Sequence, residues 1–177
     1  MGTSGYQLEQ ALKKSRVKVP FVIRTRNALR ATDYKEPMVG IINLQSSKDG
    51  NGTHWAGFVI PPPSRTVNGI KTADKNYYFD SYGQPPPEEV VKFLKTKGRK
   101  IVYSDQQLQK IDTDTCGEFV LSFIRYLLQY INGKSDQLLE QKYLKFIYDY
   151  FDPADLDGNE AKVKDKVRIR VGGGTTS

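Results

Sequence analysis

The stretch Gln109–Leu121, QKIDTDTCGEFVL, decides how the rest of the chain is read. A polar loop carrying two Asp-Thr pairs gives way at Cys116 to the run CGEFVLSFIRYLLQYIN, residues 116–132. Apolar residues fall on most sides of a helical period there, which predicts a central helix from Cys116 to about Asn132, stopped by Gly133. The only cysteine of the chain therefore opens its most apolar helix. A helix N-terminus presents unpaired N–H groups and a partial positive charge, and both stabilise a thiolate. Gly117, with no side chain, would let a substrate backbone approach closely. A free cysteine is more often a small buried hydrophobe, so Cys116 alone decides nothing.

Upstream, short apolar runs bounded by turn residues read as strands: MVGIINL at 38–44, WAGFVI at 55–60, NYYF at 76–79 and KIVY at 100–103. The cluster SSKDGNGT at 46–53 and the segment DSYGQPPP at 80–87 read as turns, and Arg65–Lys75 as a polar excursion. Pro85–Pro87 followed by Glu88 and Glu89 start a helix that runs to about Lys97. Residues 6–14 form a short amphipathic helix, whereas Arg16–Arg30 takes no secure assignment. Asp136–Phe151 reads as a helix capped by Ser135 and broken at Asp152-Pro153. In the tail, Lys162, Lys164, Lys166, Arg168 and Arg170 alternate with Val163, Val167, Ile169 and Val171, which predicts a strand with one basic and one apolar face over 162–171. Gly172–Ser177 reads as a flexible end. There is no internal repeat and no domain boundary. The fold class expected is α+β: one domain over 1–171, with a small mixed sheet packed against the central helix.

The 177 residues carry a formal charge of +7, with one Cys, one His and one Trp. A single cysteine excludes an intrachain disulfide and suits a reducing compartment. One Cys and one His cannot make a structural zinc tetrad. The apolar stretch Phe119–Ile131 is interrupted by Ser122, Arg125 and Gln129, so no membrane span is expected, and the first residues lack the apolar core of a secretory signal. The positive charge gathers at the ends: eight basic against three acidic residues in 1–36, and five against one in 161–171. That pattern suits a polyanion such as nucleic acid; a solvated basic surface accounts for it equally well.

The only histidine, His54, immediately precedes the strand WAGFVI. Imidazole near its ordinary pKa is suited to act as a base beside a thiol. A third group should orient the ring, and Asp80 ends the strand 76–79. If strands 55–60 and 76–79 pair antiparallel, His54 and Asp80 fall at the same end of the pair. Taken singly, His54 is as well explained as a turn residue and Asp80 as a turn carboxylate bonding its own backbone. Acyl transfer also needs donors for an oxyanion. The Cys116 N–H is one; Gln106, Gln107 and Gln109 all offer a second, and the chemistry does not choose among them.

Together the segments THWAGFVI, YYFDSYGQPPPEEVVKFL and QKIDTDTCGEFVL resemble the adenain-type cysteine proteases. That superfamily includes the adenovirus maturation protease and the ubiquitin-like-protein (SUMO) proteases. The order His, Asp, Gln, Cys matches, and the resemblance covers about Gly40 to Leu128. It implies a papain-like fold with the catalytic Cys on the central helix, and a Cys116–His54–Asp80 triad. It selects Gln109, seven positions before Cys116, as the oxyanion glutamine. It also implies that Trp55 packs beside His54 and that Trp55 and Gly117 border the substrate, with Gly favoured near the scissile bond. Two departures stand out: the long interval between His54 and Asp80, with Pro61–Lys75 as an insertion, and Thr115 where SUMO proteases carry Asp before the Cys. With the small size, these favour the viral branch, as in virophages and Maverick-type elements, whose enzymes cut virion precursor proteins.

The resemblance thus implies a monomeric cysteine endopeptidase for capsid maturation, acting in the host cytoplasm or nucleus and in the virion. The chemistry needs no cofactor; DNA or a peptide could activate it by analogy, with DNA docking on the basic termini and Gly172–Gly174 as a self-processing site. A protease removing SUMO or ubiquitin from host conjugates is the alternative. A non-catalytic basic protein that binds nucleic acid is the second alternative.

Overall fold

Five strands form one mixed sheet in the spatial order β1-β2-β3-β6-β7: β1 Phe21–Thr25, β2 Met38–Asn43, β3 Trp55–Ile60, β6 Lys75–Phe79 and β7 Lys100–Val102. This is a computed structural model, and it describes residues 2–15, 17–45, 54–63, 65–71, 73–132 and 136–166. The two outer pairs, β1 with β2 and β6 with β7, are parallel; the inner pairs are antiparallel. Both β2 and β3 are buried along their whole length, because both sheet faces are covered. Successive side chains alternate between those faces. Val39, Ile41, Val59, Tyr77 and Phe79 face the larger helical layer, while Met38, Ile42, Phe58, Ile60 and Tyr78 face the smaller one.

The larger layer is built on α3, Cys116–Leu128, with α1 Gly5–Lys14 and α4 Asp136–Lys145 beside it. The smaller is α2 Glu88–Leu94, which buries Val90, Phe93 and Leu94. Helix α3 sits close on β3 because Gly57 has no side chain: a Cβ there would lie 2.6 Å from Val120 Cγ1. Phe79 of β6 stacks on Phe123 of α3 at 5.2 Å and meets Phe146 edge-on at 5.3 Å. Each such fully buried ring contributes about 1.5–3 kcal/mol. Tyr143 of α4 donates its hydroxyl proton to the Tyr78 carbonyl at 2.6 Å, fixing α4 to the sheet.

The expected α+β class, with a mixed sheet on a central helix that begins at Cys116, is the observed one. Part of the unassigned Arg16–Arg30 is the edge strand β1. The polar excursion after Pro63 holds a two-stranded hairpin, β4 Thr66–Val67 with β5 Ile70–Lys71. Its turn uses positive φ at Asn68 and Gly69, the pairing that suits a tight hairpin. The predicted helix 136–151 is α4 followed by a π-helical turn, Phe146–Tyr150.

One expectation is overturned. The stretch read as a basic strand is helical as far as it is described, as α5, Leu156–Lys166. Its start is fixed by Asp155, whose Oδ1 accepts from the Gly158 N–H at 2.9 Å, the bond of an N-cap. Alternation of Lys and Val is compatible with either period over so few residues, and the cap decides. The predicted turn at 46–53, the Gly133 stop, the Ser135 cap, the basic residues beyond 166 and the tail 172–177 lie outside the described residues. Among the described residues, no helix is long and apolar enough to cross a membrane.

Candidate active site

The antiparallel β3–β6 pair, with Gly57 opposite Phe79, brings the start of β3 and the end of β6 together. His54 and Asp80 meet there: His54 Nε2 lies 2.9 Å from Asp80 Oδ1. Asp80 is 2% exposed, and its Oδ1 also accepts from the Tyr82 N–H at 2.8 Å. The carboxylate is thus already held by the turn that follows it before the imidazole reaches it. With Nε2 committed to Asp80, Nδ1 is the nitrogen left for a thiol. It is buried, and the Cys116 sulfur is near enough to favour the charged ring. Burial pulls the His54 pKa down, but the Asp80 bond and the Cys116 interaction outweigh it and push it up to about 9.

Cys116 opens α3 and is 3% exposed; its Sγ accepts from the Trp55 backbone N–H at 3.4 Å. The start of β3 and the residue before it therefore supply a hydrogen bond to the sulfur and the histidine. The other expected residues sit differently from the sequence reading. The ring stacked on His54 is Tyr82, at 4.6 Å and 18°, whereas the Trp55 indole N–H is tied to the Thr3 carbonyl at 2.9 Å. Gly117 does permit a close approach, but by the chain itself. A Cβ there would lie 3.1 Å from Leu8 Cδ2 and 3.2 Å from Thr3 Cβ.

Of the three glutamines, Gln109 is fully buried and is braced next to the acid: Ser81 Oγ donates to its Oε1 at 2.5 Å. Its Nε2 donates to both the carbonyl oxygen and Oγ1 of Thr113, each at 3.1 Å. Gln107 Nε2 donates to the Gln109 carbonyl at 2.9 Å, and Gln106 Nε2 to the exposed Asp105 at 3.0 Å. The structure adds Tyr82, Ser81 and Thr113 to the surroundings. Tyr82 and Ser81 could have been suspected from their place in FDSYG; nothing in DTDT marks Thr113. Among the described residues, no group of three or more His, Cys, Asp or Glu side chains could hold a metal ion.

Such an arrangement can do nucleophilic acyl transfer: a thiol at a helix start, an imidazole that stays charged to alkaline pH, and a buried carboxylate behind it. The family model for the Ulp1 protease family, C-terminal catalytic domain, matches residues 13–156. Comparison with curated proteins finds no match. Among solved structures, the chain is similar to the ASFV pS273R protease, at 14% identity and a TM-score of 0.45, covering 81% of this chain and 66% of that one. A second structure of the same ASFV protease is matched at 18% identity and a TM-score of 0.37, over 61% of this chain and 42% of that one. The chain thus spans less than two thirds of either pS273R chain. The central domain of the uncharacterized Lpg1148 protein from Legionella pneumophila matches at 13% identity and a TM-score of 0.46, over 94% and 96%. With the family model covering most of its length, the chain belongs to the Ulp1 protease family of cysteine peptidases.

Proposed function

We propose that this chain is a cysteine endopeptidase in which Cys116 is the nucleophile, His54 the base and Asp80 the residue that orients the base. The observation that carries the reading is the 2.9 Å contact between His54 Nε2 and Asp80 Oδ1 beside the only cysteine. His54 takes the Cys116 proton, and the sulfur attacks a peptide carbonyl. The Cys116 N–H and the Gln109 amide bind the oxyanion. Two acceptors on one residue, as Thr113 presents to Gln109 Nε2, can share a single N–H in a three-centre bond, and the second N–H is then left for the carbonyl. His54 protonates the leaving amine, and water releases the acyl group.

For the substrate, the proposal is a viral structural precursor cut during capsid maturation, in the infected cell and the virion. The Thr115-Cys116 junction and the basic termini support it. The Ulp1 family model supports the second reading, release of ubiquitin-like proteins from conjugates. A nucleic-acid role stands behind both, because part of the N-terminal charge is answered within the chain: Arg24 lies 3.7 Å from Asp33 and Arg26 3.7 Å from Glu89. Incubation with capsid precursors and with a panel of ubiquitin-like fusions, each with and without DNA, separates the readings. Cysteine-dependent cleavage of precursors alone supports the first; cleavage of fusions alone replaces it with the second.

A further inference from the structure

Helix α5 lies against the loop that leads to Cys116 and holds it through one buried carboxylate. Glu160 is 5% exposed. Its Oε1 accepts from Thr113 Oγ1 at 2.6 Å and from the Lys110 N–H at 3.3 Å; its Oε2 accepts from Thr115 Oγ1 at 2.7 Å. Two further bonds from α5 reach the same loop. Asn159 Nδ2 donates to the Leu108 carbonyl at 3.1 Å, and Lys110 Nζ pairs with Asp157 at 2.8 Å. Glu160 lies beyond residues 13–156, so the family model does not include it.

The direction of the Thr113 hydroxyl proton is the key. A hydroxyl has one proton to donate and two lone pairs. Thr113 Oγ1 has three nearby acceptors to choose from, the Glu160 carboxylate at 2.6 Å, the Lys110 carbonyl at 2.9 Å and the Thr115 hydroxyl at 3.3 Å. The carboxylate is the nearest of the three and the only anionic one, so it takes the proton. The lone pairs are then left to accept from Gln109 Nε2 at 3.1 Å, while Ser81 donates to Gln109 Oε1 from the other side. That pair of contacts fixes which end of the amide is N–H. Thr115, held by the other carboxylate oxygen, is the residue whose peptide carries the Cys116 N–H.

We propose that Glu160 is a positioning residue for the oxyanion donors, setting the Gln109 amide through Thr113 and the Cys116 N–H through Thr115. This rests on the peptidase reading above. The three hydrogen bonds of its carboxylate all go to the loop, so Glu160 governs steps that build charge on a carbonyl oxygen and leaves the sulfur's own nucleophilicity alone.

Two reagents separate those steps at the single cysteine, each followed by intact mass. Iodoacetamide is attacked at carbon: a C–S bond forms, iodide leaves with its electron pair, and no oxyanion arises. p-Nitrophenyl acetate is attacked at its carbonyl: an oxyanion forms, then collapses to expel p-nitrophenolate and leave an acetyl thioester. Loss of one oxyanion donor costs about 10²–10³-fold, and loss of its support should cost less. Glu160→Gln is expected to slow acylation about tenfold or more while alkylation stays within about twofold of wild type. Thr113→Val should do the same, and it serves if Glu160→Gln melts early. The double variant should be no slower than the slower single, because both act through one network. Acylation and alkylation falling together, or neither falling, would overturn the proposal alone. A wild-type protein whose alkylation does not depend on His54 would overturn the peptidase reading and this proposal with it.

Discussion

His54 and Asp80 are 26 positions apart, yet their side chains meet at 2.9 Å because β3 and β6 pair antiparallel. The acid is buried and already held by the Tyr82 N–H, so it acts on the ring without having to be organised by a substrate. Asp80→Asn keeps the shape and removes the charge. Peptidase activity should fall by about a hundredfold or more if Asp80 has the orienting role proposed for it. The single histidine makes a direct check available. Its NMR titration midpoint should move from about 9 back toward 6.5.

The same raised pKa links stability to pH. His54 binds its proton more tightly folded than unfolded, so it stabilises the fold. That contribution is fully present below pH 6.5, the unfolded value, and is lost as pH rises through about 9. Urea unfolding of wild type and His54→Gln should therefore differ more at pH 6 than at pH 10. An equal difference at both would place the stabilisation elsewhere.

Tyr82 stacks on His54 and reaches with its hydroxyl to the carbonyls of Ile111 and Thr113, at 3.3 and 3.5 Å. A ring pair of this kind contributes about 0.5–1.5 kcal/mol beyond its area. Tyr82→Ala should lower kcat by about two- to tenfold, in line with that energy, whereas Tyr82→Phe keeps the stack and most of the rate. Steady-state kinetics on the two variants decides it.

Much of the site was legible in the sequence. Strand runs such as WAGFVI and NYYF announce themselves by composition, and chain order places His54 and Asp80 at one end of the pair they form. Cys116 marks its helix because polarity changes abruptly there. What was not legible depends on contacts between distant segments. The close neighbours of Gly117 are Thr3 and Leu8, more than a hundred residues upstream, and the substrate was the more obvious neighbour to imagine. Trp55 next to His54 in sequence suggested a packing role, but its indole N–H is tied to the Thr3 carbonyl, and the stacked ring came from the turn after Asp80. The alternation of basic and apolar residues from Lys162 hid a helix that runs as far as Lys166, and the Asp155 cap that starts this helix lies upstream of the alternating stretch.

Gly57 tests the seating of α3 on the sheet. With Val120 Cγ1 only 2.6 Å from a Cβ at that position, Gly57→Ala must push helix and strand apart. Overpacking of this kind costs about 1–3 kcal/mol. Denaturant unfolding should show a lower midpoint with an unchanged slope, and Cys116 should lose reactivity as its helix shifts from His54.

The central claim is that Cys116 and His54 form a thiolate–imidazolium pair. Its most direct test is the rate of Cys116 alkylation by iodoacetamide as a function of pH, by intact mass, in wild type and His54→Ala. The account predicts rapid alkylation already at pH 6 in wild type, and in His54→Ala a rate that follows the titration of an ordinary free thiol. Identical profiles in the two proteins would contradict it and return Cys116 to the role of a buried structural residue.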